Sequence, residues 1–145
     1  HINNYFLDNF IFKKRTDALT SNESFYTPKG KRSAKDIIDG IKKNKCVFLL
    51  IDQKDSAGEL VNFFGISVKT QTGFLKIARK YRMPIIPIQN KRLENDKFEI
   101  TFHNPINYMG ETMSDGMMML KIHKIIEEWI KNNPNQWFWQ HNRFI

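Results

Sequence analysis

Apolar and polar positions along the chain alternate between helical and strand spacing, and each stretch predicts an element. Residues 3 to 15, NNYFLDNFIFKKR, set Phe6, Leu7, Phe10 and Ile11 on one stripe and end in a basic cluster, which suits a helix C-terminus. Residues 16 to 28 are polar and close on Thr27-Pro28, a loop with room for one short strand around Ser24-Phe25-Tyr26. Ser33 is placed to cap a helix running to about Lys43, with Ile37, Ile38 and Ile41 on one face.

Cys46 to Ile51 are six consecutive apolar residues, the pattern of a strand buried on both faces, with Cys46 as a core residue. Residues 52 to 60 follow as a polar loop in which Gly58 lets the chain turn, and Val61 to Gly65 form a second apolar burst. Thr72 to Tyr81 predicts a helix with Phe74, Leu75, Ile77 and Ala78 inward. Met83 to Ile88 predicts a short strand whose two prolines suit a start or an edge. Lys97 to Phe102 alternates strictly and predicts a half-exposed strand. After a loop over 103 to 113, Met117 to Ile130 predicts a long helix, with Met118, Ile122, Ile125, Ile126 and Trp129 inward and His123 on the polar face. Helices alternating with apolar strands imply an α/β fold, with a layered mixed or parallel sheet flanked by helices. We find no linker or repeat, so residues 1 to 145 read as a single domain or part of one. The chain opens mid-pattern at His1, and a fragment or processed product is expected.

Composition changes this picture little, and charge changes it more. Hydrophobic residues at 41% exclude a disordered chain. A single cysteine excludes a disulfide framework. The four histidines stand at 1, 103, 123 and 141 without ligand spacing, so no metal site is expected. The net charge is +8, and ten of the 23 Lys and Arg residues lie between Lys13 and Lys45. That density suits anionic lipid, an acidic protein or nucleic acid. No apolar run approaches the ~20 residues of a membrane span. There is no P-loop and no G-x-S-x-G elbow. Asp52, directly after the most apolar run, is the best-placed carboxylate, since open α/β sheets bind ligands beyond the carboxyl ends of their strands.

An ordered set of short motifs is more specific. Leu7-Asp8, Asp52-Gln53, Phe63-Phe64-Gly65, Thr70-x-Thr72-Gly73, Pro84-Ile85-Ile86-Pro87 and Asn133-Pro134-x-Gln136-Trp137-x-Trp139-x-His141-x-Arg143 follow one another across essentially the whole chain. In order and spacing the set resembles the lipid A biosynthesis acyltransferases, the Kdo-lipid A lauroyl and myristoyl transferases of Gram-negative bacteria. The resemblance implies a glycerolipid-acyltransferase-like layered sheet and an enzyme at the cytoplasmic face of the inner membrane, peripheral for this chain. Such an enzyme moves a fatty acyl chain from acyl carrier protein to a hydroxyl of a lipid A precursor, without a cofactor. It carries Arg15, seven residues beyond Asp8, and Asp52 over as catalytic-site residues. The arginine would hold an anionic group or stabilise an oxyanion. Asp52 would hydrogen-bond the acceptor sugar or position Arg15. Gln53, Phe63 and Phe64 fall to substrate binding, the two phenylalanines as a wall for the acyl chain.

The family's general base lies in an H-x4-D/E motif ahead of its L-D motif. The one match here, His123 to Glu128, sits inside the last long helix, where positions five apart point about 140° away from each other. His1 fails because position 6 is Phe, and His103 because position 108 is Tyr. The expectation is an acyltransferase portion without its catalytic dyad, inactive alone. A basic binding module for anionic lipid or nucleic acid is the competing reading.

Overall fold

The computed structural model describes residues 5–18, 33–106, 108, 113–140 and 142–144, with Tyr5 and Phe6 as backbone only. The strand expected around Ser24–Tyr26 and the histidines at 1 and 141 lie outside these residues. The chain divides into two compact units, His1–Leu49 and Leu50–Ile145.

The first unit contains helices α1 (Tyr5–Asp17) and α2 (Ser33–Lys42), both where periodicity predicts them. Lys14 and Arg15 occupy the last turn of α1, against the negative end of its dipole. The expected apolar stripe is not a buried one, because Leu7 and Phe10 are exposed. On α2 the isoleucines are half-buried and Gly40 is buried. Asn44 ends α2 in a left-handed conformation (φ 56°). Around it Lys45 N–H donates to the Gly40 carbonyl and Asn44 N–H to that of Ile41, a Schellman closure.

The run Cys46 to Ile51 is not a strand. Cys46 is exposed, Phe48 is 74% exposed and Leu50 81%. A two-face-buried strand needs neighbours on both edges. The strands described form two separate two-stranded hairpins, and among the described residues the run pairs with neither.

Strand β1 (Lys54–Phe63) pairs antiparallel with β2 (Ile66–Thr70), and β3 (Ile88–Arg92) with β4 (Phe98–Phe102). The α/β content stands, but among the described residues every strand pair is antiparallel and no parallel layer forms. The expected loop 52–60 is largely strand, its polarity reflecting one solvated face. Phe64 (φ 52°) and Gly65 (φ 80°) make the two-residue turn between β1 and β2, a primed hairpin turn. The expected strand 83–88 reduces to a bridge between Ile85 and Ile106, and pairing begins only at Ile88. Strand β4 forms where alternation predicts a strand, but Phe98, Glu99, Ile100 and Phe102 are all exposed and only Thr101 is half-buried, so it is more exposed than the half-exposed strand expected.

Helix α3 (Gly73–Lys80) follows β2, and α4 (Asp115–Asn132) is capped by the Ser114 hydroxyl, which accepts from Met117 N–H at 3.2 Å. Val61, Leu75, Ala78, Tyr108, Met118, Met119 and Ile122 form one core cluster, and Phe63, Val68 and Ile130 a second. Both lie where α4 packs on β1. A single turn of 3-10 helix, Pro134–Gln136, then leads into the aromatic tail.

Gly58 does not turn the chain. It sits at a bulge where Lys54 and Glu59 both face Thr70. A Cβ there would meet the Thr70 backbone, its carbonyl oxygen at 2.3 Å. Gly73, at the start of α3, has nothing within 4 Å. Gly58→Ala is therefore expected to cost about 1–3 kcal/mol through overpacking. Gly73→Ala is expected to be neutral or to stabilise by about 0.4–1 kcal/mol. Urea unfolding of the two variants checks this, and equal shifts would contradict the bulge assignment.

Candidate active site

Asp52 lies in a bend just ahead of β1, not on the rim of a buried strand, since residues 46 to 51 form none. It is half-buried, and its Oδ2 accepts from the Trp137 indole Nε1–H at 3.2 Å. Gln53 beside it is exposed. Phe63 closes β1 and is buried, while Phe64 is the half-buried first residue of the turn. Arg15 is exposed on the last turn of α1, in the first unit. Asp52, Phe63 and Phe64 thus belong to one unit, and Arg15 is described with the other.

Phe63 is where the second unit's aromatic side chains meet. Around it stand the rings of His123 (4.8 Å), Phe64 (4.9 Å), Phe144 (5.8 Å) and Trp137 (5.9 Å). The Arg143 guanidinium lies over its face at 5.6 Å, a cation–π contact. The same guanidinium donates from Nη1 to the Lys69 carbonyl (2.7 Å) and from Nη2 to Thr70 Oγ1 (2.6 Å). Arg143 is only 1% exposed, so the tail ends in a buried cation latched to β2.

His123 is part of this latch. It does not lie on a polar face, because it is 1% exposed. Helix α4 turns that position toward the hairpin, where the end of β1 supplies a polar partner. The Nδ1 atom lies 2.7 Å from the Asn62 carbonyl, which only accepts, so Nδ1 carries the hydrogen. The Nε2 lone pair then faces Thr70 Oγ1 at 3.4 Å and Arg143 Nη2 at 3.5 Å. Burial, seconded by the Arg143 charge, lowers the His123 pKa from 6.5 despite the Asn62 hydrogen bond and Glu127. With both nitrogens engaged and no solvent access, His123 is unsuited to serve as a general base. Glu128 is exposed and paired with Lys131.

Glu127, one helical turn beyond His123, is buried too. Its Oε1 accepts from Phe64 N–H at 2.7 Å, and Lys124 donates to Oε2 at 2.7 Å. Burial alone would raise its pKa, but these donors outweigh it and the net shift is downward from 4.5. The carboxylate thereby holds the turn residue Phe64 at its positive φ. Burial lowers the Arg143 pKa, and the charge of Asp52 opposes that shift.

Sequence reasoning passed over Thr70, His123, Glu127, Trp137 and Arg143 as site-building residues. Thr70, Trp137 and Arg143 stood inside the quoted motifs. His123 and Glu127 carried the i, i+4 spacing that puts two side chains on one helix face. Among the described residues no three His, Cys, Asp or Glu side chains group as metal ligands, and no helix is long and apolar enough to cross a membrane. What the cluster offers chemically is a carboxylate anchored at one oxygen, a buried cation and an apolar wall.

A lowered histidine pKa in the folded state contributes stability that is fully present above 6.5 and is lost as pH falls through the folded value. Glu127 adds a second loss that begins only below 4.5. Urea midpoints are expected to fall between pH 7 and pH 5 in the native chain. His123→Gln is expected to lower the midpoint at pH 7 and flatten that window, while keeping the acid limb below about pH 4.5.

Comparison with family models matches residues 2–145 to the family described as bacterial lipid A biosynthesis acyltransferase. Comparison with curated proteins finds no match.

Proposed function

The chain belongs to the bacterial lipid A biosynthesis acyltransferase family, and on that premise we propose that it serves acyl transfer to a lipid A precursor. The donor in this reading is a fatty acyl thioester of acyl carrier protein, and the acceptor a hydroxyl of a Kdo-bearing precursor. The single observation that carries it is the family match over residues 2–145. The motif residues Asp52, Phe63, Phe64, Trp137 and Arg143 meeting in one cluster lend it support. In the family's layered sheet, the two hairpins would be components.

Within this reading Arg15 and Asp52 are the catalytic-site residues, Arg15 as the cation for a developing oxyanion or an anionic substrate group. Gln53, Phe63 and Phe64 bind substrate, with Phe64 as the part of the acyl wall nearest solvent. The chemistry needs no metal or cofactor. The +8 charge suits an acidic carrier protein and the anionic surface of the inner membrane's cytoplasmic face, where the protein works as a peripheral partner. These 145 residues by themselves transfer little, because the only H-x4-D/E spacing they hold is the His123 pair, with its histidine walled in.

The test assays the purified chain with acyl carrier protein thioester and Kdo-bearing precursor, alone and with a family segment carrying H-x4-D/E supplied in trans or fused ahead. Transfer is expected only in the complemented reaction. There Asp52→Ala and Arg15→Ala each lower kcat about a hundredfold, and Phe64→Ala shifts acyl-length preference. Full turnover by the chain alone would overturn the inactivity. Binding to DNA but not to anionic liposomes at matched salt would favour a nucleic-acid module instead.

A further inference from the structure

The Asp52 carboxylate is tied at one end only. Its Oδ2 accepts the Trp137 indole hydrogen at 3.2 Å, and among the described residues no donor reaches Oδ1. Trp137 cannot easily follow if the carboxylate moves. Its ring stands edge-on to Trp139 (4.7 Å, 90°) and packs against Phe63 and Phe144. Trp139 in turn donates its indole hydrogen to the Pro134 carbonyl at 2.6 Å, closing the tail on itself. Asp52 is thus fixed by a neutral, single-point donor on an aromatic stack, while its charge opposes the downward shift of the buried Arg143.

A carboxylate that pairs fork-to-fork with a guanidinium uses both oxygens. One whose second oxygen is already engaged presents a single acceptor, which suits one hydroxyl donor. We propose that Trp137 is a positioning residue, holding Oδ2 so that Oδ1 of Asp52 faces a sugar hydroxyl of the acceptor lipid. The inference rests on the acyltransferase reading for what Oδ1 contacts, but the Trp137–Asp52 coupling is testable without it.

The experiment uses the full 145-residue chain, 15N-labelled, whose three tryptophans give separate indole N–H signals. Trp137→Phe identifies its signal, and an unmoved Trp129 signal, whose ring packs on His103 and not on Trp137, reports that the fold survives. Asp52→Ala is expected to speed solvent exchange of the Trp137 indole hydrogen about tenfold or more, as loss of a bond to a charged acceptor would. Asp52→Asn, which keeps an oxygen acceptor, is expected to restore most of the protection. Unchanged exchange in Asp52→Ala overturns the proposal.

The second readout is binding of an acylated Kdo-bearing disaccharide in detergent micelles. Trp137→Phe and Asp52→Ala are each expected to weaken it about tenfold, and the double variant no further, because they act through one contact. Equal binding by native chain and Trp137→Phe also overturns the proposal. If the native chain does not bind the disaccharide while its indole remains coupled to Asp52, the acyltransferase reading fails and the positioning stands.

Discussion

A guanidinium taken out of water is tolerable only when its hydrogens find acceptors and its charge finds a counterweight. Arg143 meets that condition through the end of β2. The Lys69 carbonyl and the Thr70 hydroxyl receive two of its hydrogens, the Phe63 ring takes its face, and Asp52 supplies the opposing charge. Among the described residues its Nε finds no acceptor, which leaves the arrangement dependent on the rest. Much around it follows. Thr70 must accept from Arg143, so its own hydrogen is left for the Val68 carbonyl or His123 Nε2, each at 3.4 Å. His123 must stay neutral, because a second cation 3.5 Å away in an apolar setting would not be tolerated.

The neutral imidazole carries the constraint to the other strand. Its Nδ1 hydrogen bonds the Asn62 carbonyl, and the Asn62 side chain accepts from Gly65 N–H at 2.9 Å across the turn. Glu127 receives Phe64 N–H from the opposite side. A non-glycine residue at positive φ costs about 1–2 kcal/mol, and a charge-assisted bond of the kind Glu127 makes is worth about as much. The tight turn, the buried face of α4 and the tail therefore form one set, in which each polar group is satisfied only when the others are in place.

This set explains what could be read from sequence and what could not. Helices α3 and α4 were legible because their apolar residues repeat at helical spacing, and α4 has a serine at its N-cap. Strand β4 was legible by alternation. The stretch Cys46 to Ile51 misled, because an apolar run states a preference for burial without saying whether a partner strand lies alongside. Strand β1 was hidden because its first half, Lys54 to Gly58, is polar and bulged, and only Val61 and Phe63 turn fully inward. His123 looked like a solvent-facing helix residue, and Glu127 drew no reading. Their burial depends on acceptors and donors 61 and 63 positions away. Asp52 was singled out for the wrong neighbour, a strand before it, when the group that fixes it lies 85 positions on.

The tail motif takes on a physical meaning from these contacts. Its residues tie to three separate places in the second unit. Gln136 brackets Arg92 at the end of β3, accepting from its N–H at 2.7 Å and donating to its carbonyl at 2.9 Å, as a paired strand residue would. Trp137 reaches Asp52, and Arg143 reaches β2. The two hairpins share no strand pairing with each other, so a segment that bonds to both is the direct polar connection between them that these contacts provide. The spacing Gln136-Trp137…Arg143 is therefore set by the distance the tail must cover between β3, Asp52 and β2. A change that preserves each side chain but alters that spacing would break at least one tie, and a substitution at Trp137 would release Asp52 while leaving the ties to β3 and β2 in place.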